Sequence, residues 1–308
     1  MIDSQRVIFI MGPTATGKTD LAVYLNENIN SEIISVDSAM VYKGMDIGTA
    51  KPDKELLEKA PHRLIDICDP IESYSAAQFR EDANSAIEEI LARDKTPILV
   101  GGTGLYFRAL ERGLAELPEA NFQIRTRIEA EAEAEGWECL HSKLKKIDPE
   151  SATRISENDS QRIQRALEVY EITGKTLTSL ISAEHKEPFP YSIKKIILSP
   201  ENRSELHGRV QQRFKVMLKT GLVDEVEAFY RRGDLSLDLP SMRLVGYRQV
   251  WRYLSGECSY EEMQDYAVIA TRQLAKRQIT WCRSEENAEW YEPYKSGIFS
   301  QILKNLDN

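Results

Sequence analysis

Residues 7–19 read Val7-Ile8-Phe9-Ile10-Met11-Gly12-Pro13-Thr14-Ala15-Thr16-Gly17-Lys18-Thr19. The first five form an unbroken apolar run, the pattern of a strand covered on both faces in a parallel sheet. The next eight satisfy G-x-x-x-x-G-K-[ST], the pattern of a phosphate-binding loop (P-loop). Leu21, Tyr24 and Leu25 then recur at helical spacing, so residues 20–28 read as a helix. Strand, loop and helix in that order are what the chemistry requires. The glycines let backbone N–H groups curl around an anion at a helix N-terminus, where the macrodipole adds favourable potential. Lys18 would neutralise phosphate charge, and the Thr19 hydroxyl is a candidate Mg²⁺ ligand. A glycine-rich turn that only packs would not need all of the motif's fixed positions. The loop implies a diphosphate or triphosphate ligand, but alone it does not separate a kinase from an ATPase or a transferase.

Working outward, a second strand over 32–36 ends in Asp37-Ser38, and a third over 97–100 ends in Gly101-Gly102. Strands alternating with helices imply an α/β core with a parallel sheet, whose functional loops sit at the carboxyl ends of the strands. From about residue 116 to residue 183 the β signal vanishes. Residues 121–147 are rich in Glu, Ala, Arg and Leu, Asp148-Pro149 is a break, and 160–172 reads as a helix closed by Gly174. Residues 193–198 return to the sheet, and the remainder reads as helical over 203–219, 222–231, 246–254 and 260–282. The expected architecture is a P-loop NTPase-like α/β core built from 1–115 and 184–308, with an inserted all-helical subdomain at 116–183 and a helical C-terminal part. Glu129, Glu131, Glu133 and Glu135 are spaced by two, which scatters their carboxylates around a helix and predicts a solvated face, not a metal site.

The chain has 308 residues, 40 Lys+Arg against 49 Asp+Glu, a formal net charge of −9, 42% hydrophobic and 29% charged residues. Those values describe a globular protein and exclude a disordered or fibrous one. Cys68, Cys139, Cys258 and Cys282 form no CxxC pair, so neither a zinc site nor a disulfide framework is expected, and free thiols point to a reducing compartment. The apolar run near the N-terminus is too short for a signal sequence or a membrane span. A cytoplasmic protein without membrane attachment is expected.

The acidic total argues against indiscriminate nucleic-acid binding. Local clusters override it. Residues 202–219 carry Arg203, Arg209, Arg213, Lys215 and Lys219 against Glu205 alone, and 271–283 carry Arg272, Lys276, Arg277 and Arg283 against no acid. On a helix, Arg272, Lys276 and Arg283 share one face opposite Met263, Tyr266, Ala270, Leu274 and Trp281. Arg277 falls in the apolar arc and must snorkel out or meet a buried anion. Arg243 and Arg248 flank Val245-Gly246-Tyr247 as a third cluster. Either three solvated faces or a local footprint for a polyanion would fit, and the acidic remainder favours the footprint. At the second strand end, Asp37 could be a Mg²⁺-linked acid, a general base or the cap of the following turn; spacing does not choose among them.

GPTATGKT, the block SVDSAMVYKGMDIGTAKP at 35–52, ILVGGTGLY at 98–106, QRIQRALE at 161–168 and KRQITW at 276–281 together resemble the bacterial tRNA dimethylallyltransferases (tRNA isopentenyltransferases) over nearly the whole chain. The loop is common to many ATP-binding and other nucleotide-binding proteins, whereas the 35–52 block and QRIQRALE are distinctive. Eukaryotic members append a zinc-finger tail whose ligands are lacking after Trp290, which fits the bacterial type.

The resemblance implies transfer of the dimethylallyl group from dimethylallyl diphosphate to N6 of the adenosine just 3′ of the anticodon in tRNA. The P-loop would then grip a leaving diphosphate, with Gly12 to Thr19 around it, Lys18 on its oxygens and Thr19 on Mg²⁺. Asp37 would accept the N6 proton, and Arg213, with Arg209 one turn earlier, is the candidate for a further clamp. The resemblance puts the target base beside Ser38, Ala39 and Met40. It puts further tRNA contacts at Thr103, Arg125, Gln161, Arg162, Ile163, Gln164, Arg165, Arg243, Gly246 and Arg248, and the basic front of the late helix adds Lys276, Arg277 and Arg283. The expected partners are the tRNA anticodon stem-loop and dimethylallyl diphosphate, with the protein acting as a monomer. The rival readings are a small-molecule or nucleotide kinase, which would consume a nucleoside triphosphate, and a non-catalytic RNA-binding protein with a vestigial loop.

Overall fold

In the computed structural model, which describes residues 5–183 and 189–306, the chain divides into two compact units, Met1–Glu111 with Phe189–Asn308 and the intervening Arg112–Pro188. In chain order the elements are β1 (Arg6–Met11), α1 (Lys18–Asn28), β2 (Ser31–Val36), α2 (Lys54–Lys59), β3 (His62–Arg63), α3 (Ala76–Leu91), β4 (Thr96–Gly101) and α4 (Gly104–Arg112). The helices α5 (Phe122–Glu135), α6 (Trp137–Ile147), α7 (Pro149–Arg154), α8 (Ser160–Thr173) and α9 (Leu177–Ala183) follow. The chain then runs through β5 (Ser192–Leu198), α10 (Arg203–Lys219), α11 (Leu222–Arg232), α12 (Tyr247–Leu254), α13 (Tyr260–Cys282), β6 (Ala288–Tyr291) and α14 (Ile298–Leu306).

The strands form a parallel sheet in the order β3-β2-β4-β1-β5-β6. Successive strand side chains point to opposite faces, and both faces of β1 are buried. Val7, Phe9 and Met11 join a core under α3 and α4, while Ile8 and Ile10 join another under α1 and α14. This two-sided burial is why β1 is continuously apolar. The register then levels the strand ends: Met11 pairs with Gly101 and with Ile197, and Val36 pairs with Gly101. Gly12, Asp37 and Gly102 therefore leave the sheet side by side at its carboxyl edge, the usual place for a ligand in a parallel sheet.

A third core belongs to the C-terminal helices. Phe214, Val226, Tyr247, Val250 and Met263, from α10 to α13, enclose Val41, Tyr42 and Met45. The smaller unit has its own core of Ile128, Leu140, Leu144, Ile163 and Leu167.

The structure corrects three sequence expectations. Residues 121–147 are two helices, broken at Gly136 with φ +85°. The stretch after residue 198 is not wholly helical, because β6 pairs with β5 at the sheet edge. The buried face of α13 consists of Met263, Ala267, Val268, Ala275, Ile279 and Cys282, so Tyr266, expected on the apolar face, is exposed, and Arg277 takes the outward of its two expected alternatives.

Candidate active site

The loop after β1 takes its shape from its residue types. Gly12 has φ +147°, and a Cβ there would lie 2.2 Å from the Leu198 carbonyl oxygen, so only glycine lets the loop pass β5. Gly17 is left-handed and caps α1 without a side chain, leaving the helix's first N–H groups directed into the loop. Within the loop, the Thr16 hydroxyl donates to the Pro13 carbonyl at 2.9 Å, and Lys18 Nζ donates to the same oxygen at 2.7 Å. The non-glycine Ala15 is held at φ +66°, and the Tyr294 hydroxyl donates to its carbonyl at 3.2 Å. The Arg209 guanidinium stacks on that tyrosine ring at 3.9 Å.

Burial depresses the Lys18 ammonium to about 8; neighbouring Asp37 opposes the shift and Arg213 adds to it. Burial also lowers Arg213, again against the pull of Asp37. The Asp37 carboxyl moves the opposite way: burial raises it above the ordinary carboxylate value, opposed by the Ala39 N–H and by the charge on Lys18. Asp37 Oδ1 accepts from Ala39 N at 2.8 Å, so the turn-capping role exists beside the electrostatic one. Thr103 fixes the next residue, its Oγ1 accepting from Ser38 N at 3.0 Å and donating to Ser38 Oγ at 3.3 Å.

Lys18, Asp37, Arg209 and Arg213 line one cavity of about 530 Å³, while Ser38 and Thr103 lie behind its lining. Its polar end is formed by residues 14–20, Asp37, Arg209 and Arg213, and its apolar wall includes Val210, Phe214, Met217, Leu244, Val245 and Leu274. Ala39, Met40 and Gly246 also line it. One end thus suits a phosphorylated head and the wall an apolar group, the general make-up of a small-molecule site.

The 41–52 segment is held in place by residues that sequence reasoning missed. Glu225 accepts from the N–H groups of Asp46 (2.9 Å), Ile47 (2.8 Å) and Gly48 (3.1 Å), and from the Tyr247 hydroxyl. Lys51, its side chain 2% exposed, bonds the Tyr42 carbonyl at 3.0 Å and pairs with Asp46 and Asp66. Gly48, Thr49, Ala50 and Pro52 thereby become cavity wall. Gln278, from α13, joins the loop after β1 to the loop after β4. Its place in the quoted KRQITW stretch was the only available signal for it; Glu225 had none.

The remaining sequence-predicted residues are distributed as follows. Lys276, Arg277 and Arg283 are exposed along and just after α13, and Arg248 is exposed on α12. Arg243 donates to the Leu237 carbonyl at 3.0 Å and lies 3.7 Å from Asp238. In the smaller unit, Arg125 grips the fully buried Glu168 through Nε at 2.8 Å and NH2 at 3.1 Å. Arg165 bonds the same carboxylate at 2.6 Å and the Pro118 carbonyl at 2.6 Å. Arg162 pairs with Asp159 at 3.0 Å, Gln161 is exposed, and Gln164 bonds Glu129 at 2.8 Å. Ile163 is fully buried in that unit's core, so its side chain packs and presents nothing to a ligand.

Comparison with known proteins gives the family. The IPP transferase family model matches residues 40–285. A tRNA dimethylallyltransferase of Coxiella burnetii (strain RSA 493 / Nine Mile phase I) is 54% identical over 300 residues, covering 97% of this chain and 96% of the relative. The solved full-length tRNA isopentenylpyrophosphate transferase of Bacillus halodurans is 38% identical with a TM-score of 0.72, covering 98% of this chain and 96% of that one. A eukaryotic dimethylallyltransferase solved while acting on tRNA is 25% identical with a TM-score of 0.81, covering 99% of this chain and 78% of that one. With the matching segment spanning most of the chain and a relative this similar along nearly its full length, the chain belongs to the IPP transferase family.

Proposed function

We propose that the protein transfers the dimethylallyl group of dimethylallyl diphosphate to N6 of the adenosine 3′-adjacent to the tRNA anticodon, releasing diphosphate. One observation carries the reading: a single cavity joins a cationic anion cradle, an apolar wall and a carboxylate with a raised pKa. The allylic C1–O bond breaks, the C1–N6 bond forms, the N6 proton passes to the Asp37 carboxylate, and diphosphate leaves with the electron pair. The N–H groups at the start of α1, with Lys18 and Arg213, stabilise the charge that gathers on the leaving oxygens, and they do so in fixed positions. Removing the proton as the bond forms suits Asp37, because an amine conjugated to a purine ring is a weak nucleophile.

The residues present fit a Mg²⁺ ion held by Thr19. Thr19 lines the polar end of the cavity, where its hydroxyl would share the ion with diphosphate oxygens and water, the coordination Mg²⁺ prefers. Bound there, the ion would neutralise diphosphate charge.

For tRNA, the exposed Arg243, Arg248, Lys276, Arg277 and Arg283 supply positive surface on an acidic protein, and the helical unit supplies Gln161 and Arg162. Arg125 and Arg165, turned toward Glu168, would meet RNA with the rest of their guanidinium donors. The target adenine lies in a stacked loop, and its extrusion into the cavity would cost a few kcal/mol of unstacking. We place the protein in the cytoplasm as a monomer. Its four free cysteines suit a reducing compartment, and no helix among the described residues is long and apolar enough to cross a membrane.

The deciding experiment incubates protein, Mg²⁺, dimethylallyl diphosphate and tRNA carrying adenosine at the target position, followed by mass spectrometry of the digested RNA. A dimethylallyl mass on that adenosine is expected. Its absence, with turnover of ATP instead, would hand the site to the kinase reading, which the names of the full-length relatives do not favour.

A further inference from the structure

We propose that Gln278 is a positioning residue that sets the distance between the diphosphate cradle and Asp37, an inference that rests on the transfer reaction above. Gln278 lies on α13, far in sequence from both loops it touches. Its Oε1 accepts from Thr14 N at 2.9 Å, and its Nε2 donates to the Gly102 carbonyl at 3.1 Å. One planar amide thus spans the loops that follow β1 and β4. A Cβ at residue 102 would lie 2.2 Å from Nε2, so the glycine there lets the amide approach without shifting. The next residue, Thr103, holds Ser38 by backbone and hydroxyl, and Ser38 follows Asp37. The path from cradle to base is therefore continuous: Thr14, Gln278, Gly102, Thr103, Ser38, Asp37.

The reaction gives this path its purpose. The migrating carbon must sit between an oxygen held by the P-loop and a nitrogen whose proton points at Asp37. A misplacement of about 1 Å in such an arrangement costs on the order of 10²-fold in rate. A carboxamide is suited to the bridge because it pairs one acceptor with one donor and carries no charge beside the diphosphate. A glutamate would keep the Thr14 bond but turn a carboxylate oxygen on the Gly102 carbonyl. Protonation of that glutamate would restore the donor.

The test compares wild type, Gln278→Met and Gln278→Glu as full chains with tRNA and dimethylallyl diphosphate. For Gln278→Met, kcat should fall about 10- to 100-fold while KM for tRNA stays within about 3-fold. Gln278→Glu should be comparably slow at about pH 8, and its rate relative to wild type should climb as the pH is lowered toward about 5, where a carboxyl group regains its proton. That rescue is read within one protein, so it is independent of how much of each variant folds. A flat rate ratio across pH, or a Gln278→Met enzyme with wild-type kcat, would overturn the assignment while leaving the reaction intact. Wild-type protein that leaves tRNA unmodified would refute the reaction and the role of Gln278 together.

Discussion

Lys18 and Asp37 each oppose, through their opposite charges, the shift that burial imposes on the other. Burial is the largest influence on both, lowering the ammonium and raising the carboxyl, and the opposite charge of the partner is among the effects that resist it. In the proposed transfer, the cation that would receive the leaving group thus stands beside the carboxylate that would receive the proton.

Replacing Asp37 separates its two roles. Asp37→Asn keeps an oxygen for the Ala39 N–H but loses the base, and should lower turnover by about 10²–10⁴, the usual contribution of a general base. Filter-binding with tRNA should give nearly wild-type affinity. Weaker tRNA binding at unchanged turnover would make Asp37 a positioning group only.

The depressed Lys18 value predicts proton uptake on diphosphate binding. Burial lowers the Lys18 ammonium from an ordinary 10.5 to about 8, so between those values the unfolded chain binds more protons and stability contributed by this group rises with pH. An anion in the cradle favours the ammonium, so calorimetry near pH 8 in buffers of differing ionisation enthalpy should show protons drawn in. Affinity for inorganic diphosphate should weaken as the pH rises above about 8. Lys18→Met should abolish the uptake; uptake that persists in that variant would assign it to another group.

Glu225→Gln should loosen the cavity wall. An amide nitrogen would face N–H groups that now donate to a carboxylate, at a cost of about 1–3 kcal/mol by urea unfolding. Because Gly48 is both a partner of Glu225 and part of the wall, KM for dimethylallyl diphosphate should rise as well. An unchanged KM would confine Glu225 to stability.

Glu168 should matter to the smaller unit in a pH-dependent way. Burial raises its carboxyl, but hydrogen bonds from Arg125, Arg165 and the Asn121 N–H, with the charge of Arg125, together outweigh burial and the net shift is downward. Its stabilisation is therefore present above the ordinary carboxylate value of 4.5 and is lost as pH falls through the lowered one. Glu168→Gln should cost about 1–3 kcal/mol at neutral pH, with the difference from wild type shrinking in acid. A difference constant with pH would contradict the ion-pair account.

Binding of tRNA should weaken steeply with salt, and each of Lys276→Ala, Arg277→Ala and Arg283→Ala should reduce the slope of log K against log salt by about 1. Slopes unaffected by all three substitutions would mean that this face is merely solvated.

The sequence by itself determined the glycine-rich loop between β1 and α1, the strands β1, β2, β4 and β5, and the position of Asp37 at a strand end. Each of these is written in contiguous residues whose spacing carries the signal. The tertiary structure alone decided which distant side chains complete the site. Glu225 and Gln278 reach their loops from α11 and α13, and neither belongs to a pattern that spacing could reveal. The four-residue β6 escaped notice because a short edge strand takes its hydrogen bonds from β5 and has too few residues to show a period. Arg125 and Arg165, which the resemblance puts at the tRNA, are also brought by folding to Glu168, a partner that no spacing reveals. A parallel sheet aligns the carboxyl ends of segments far apart in the chain, and the helices packed over that edge supply the partners, so the site is a property of register and packing.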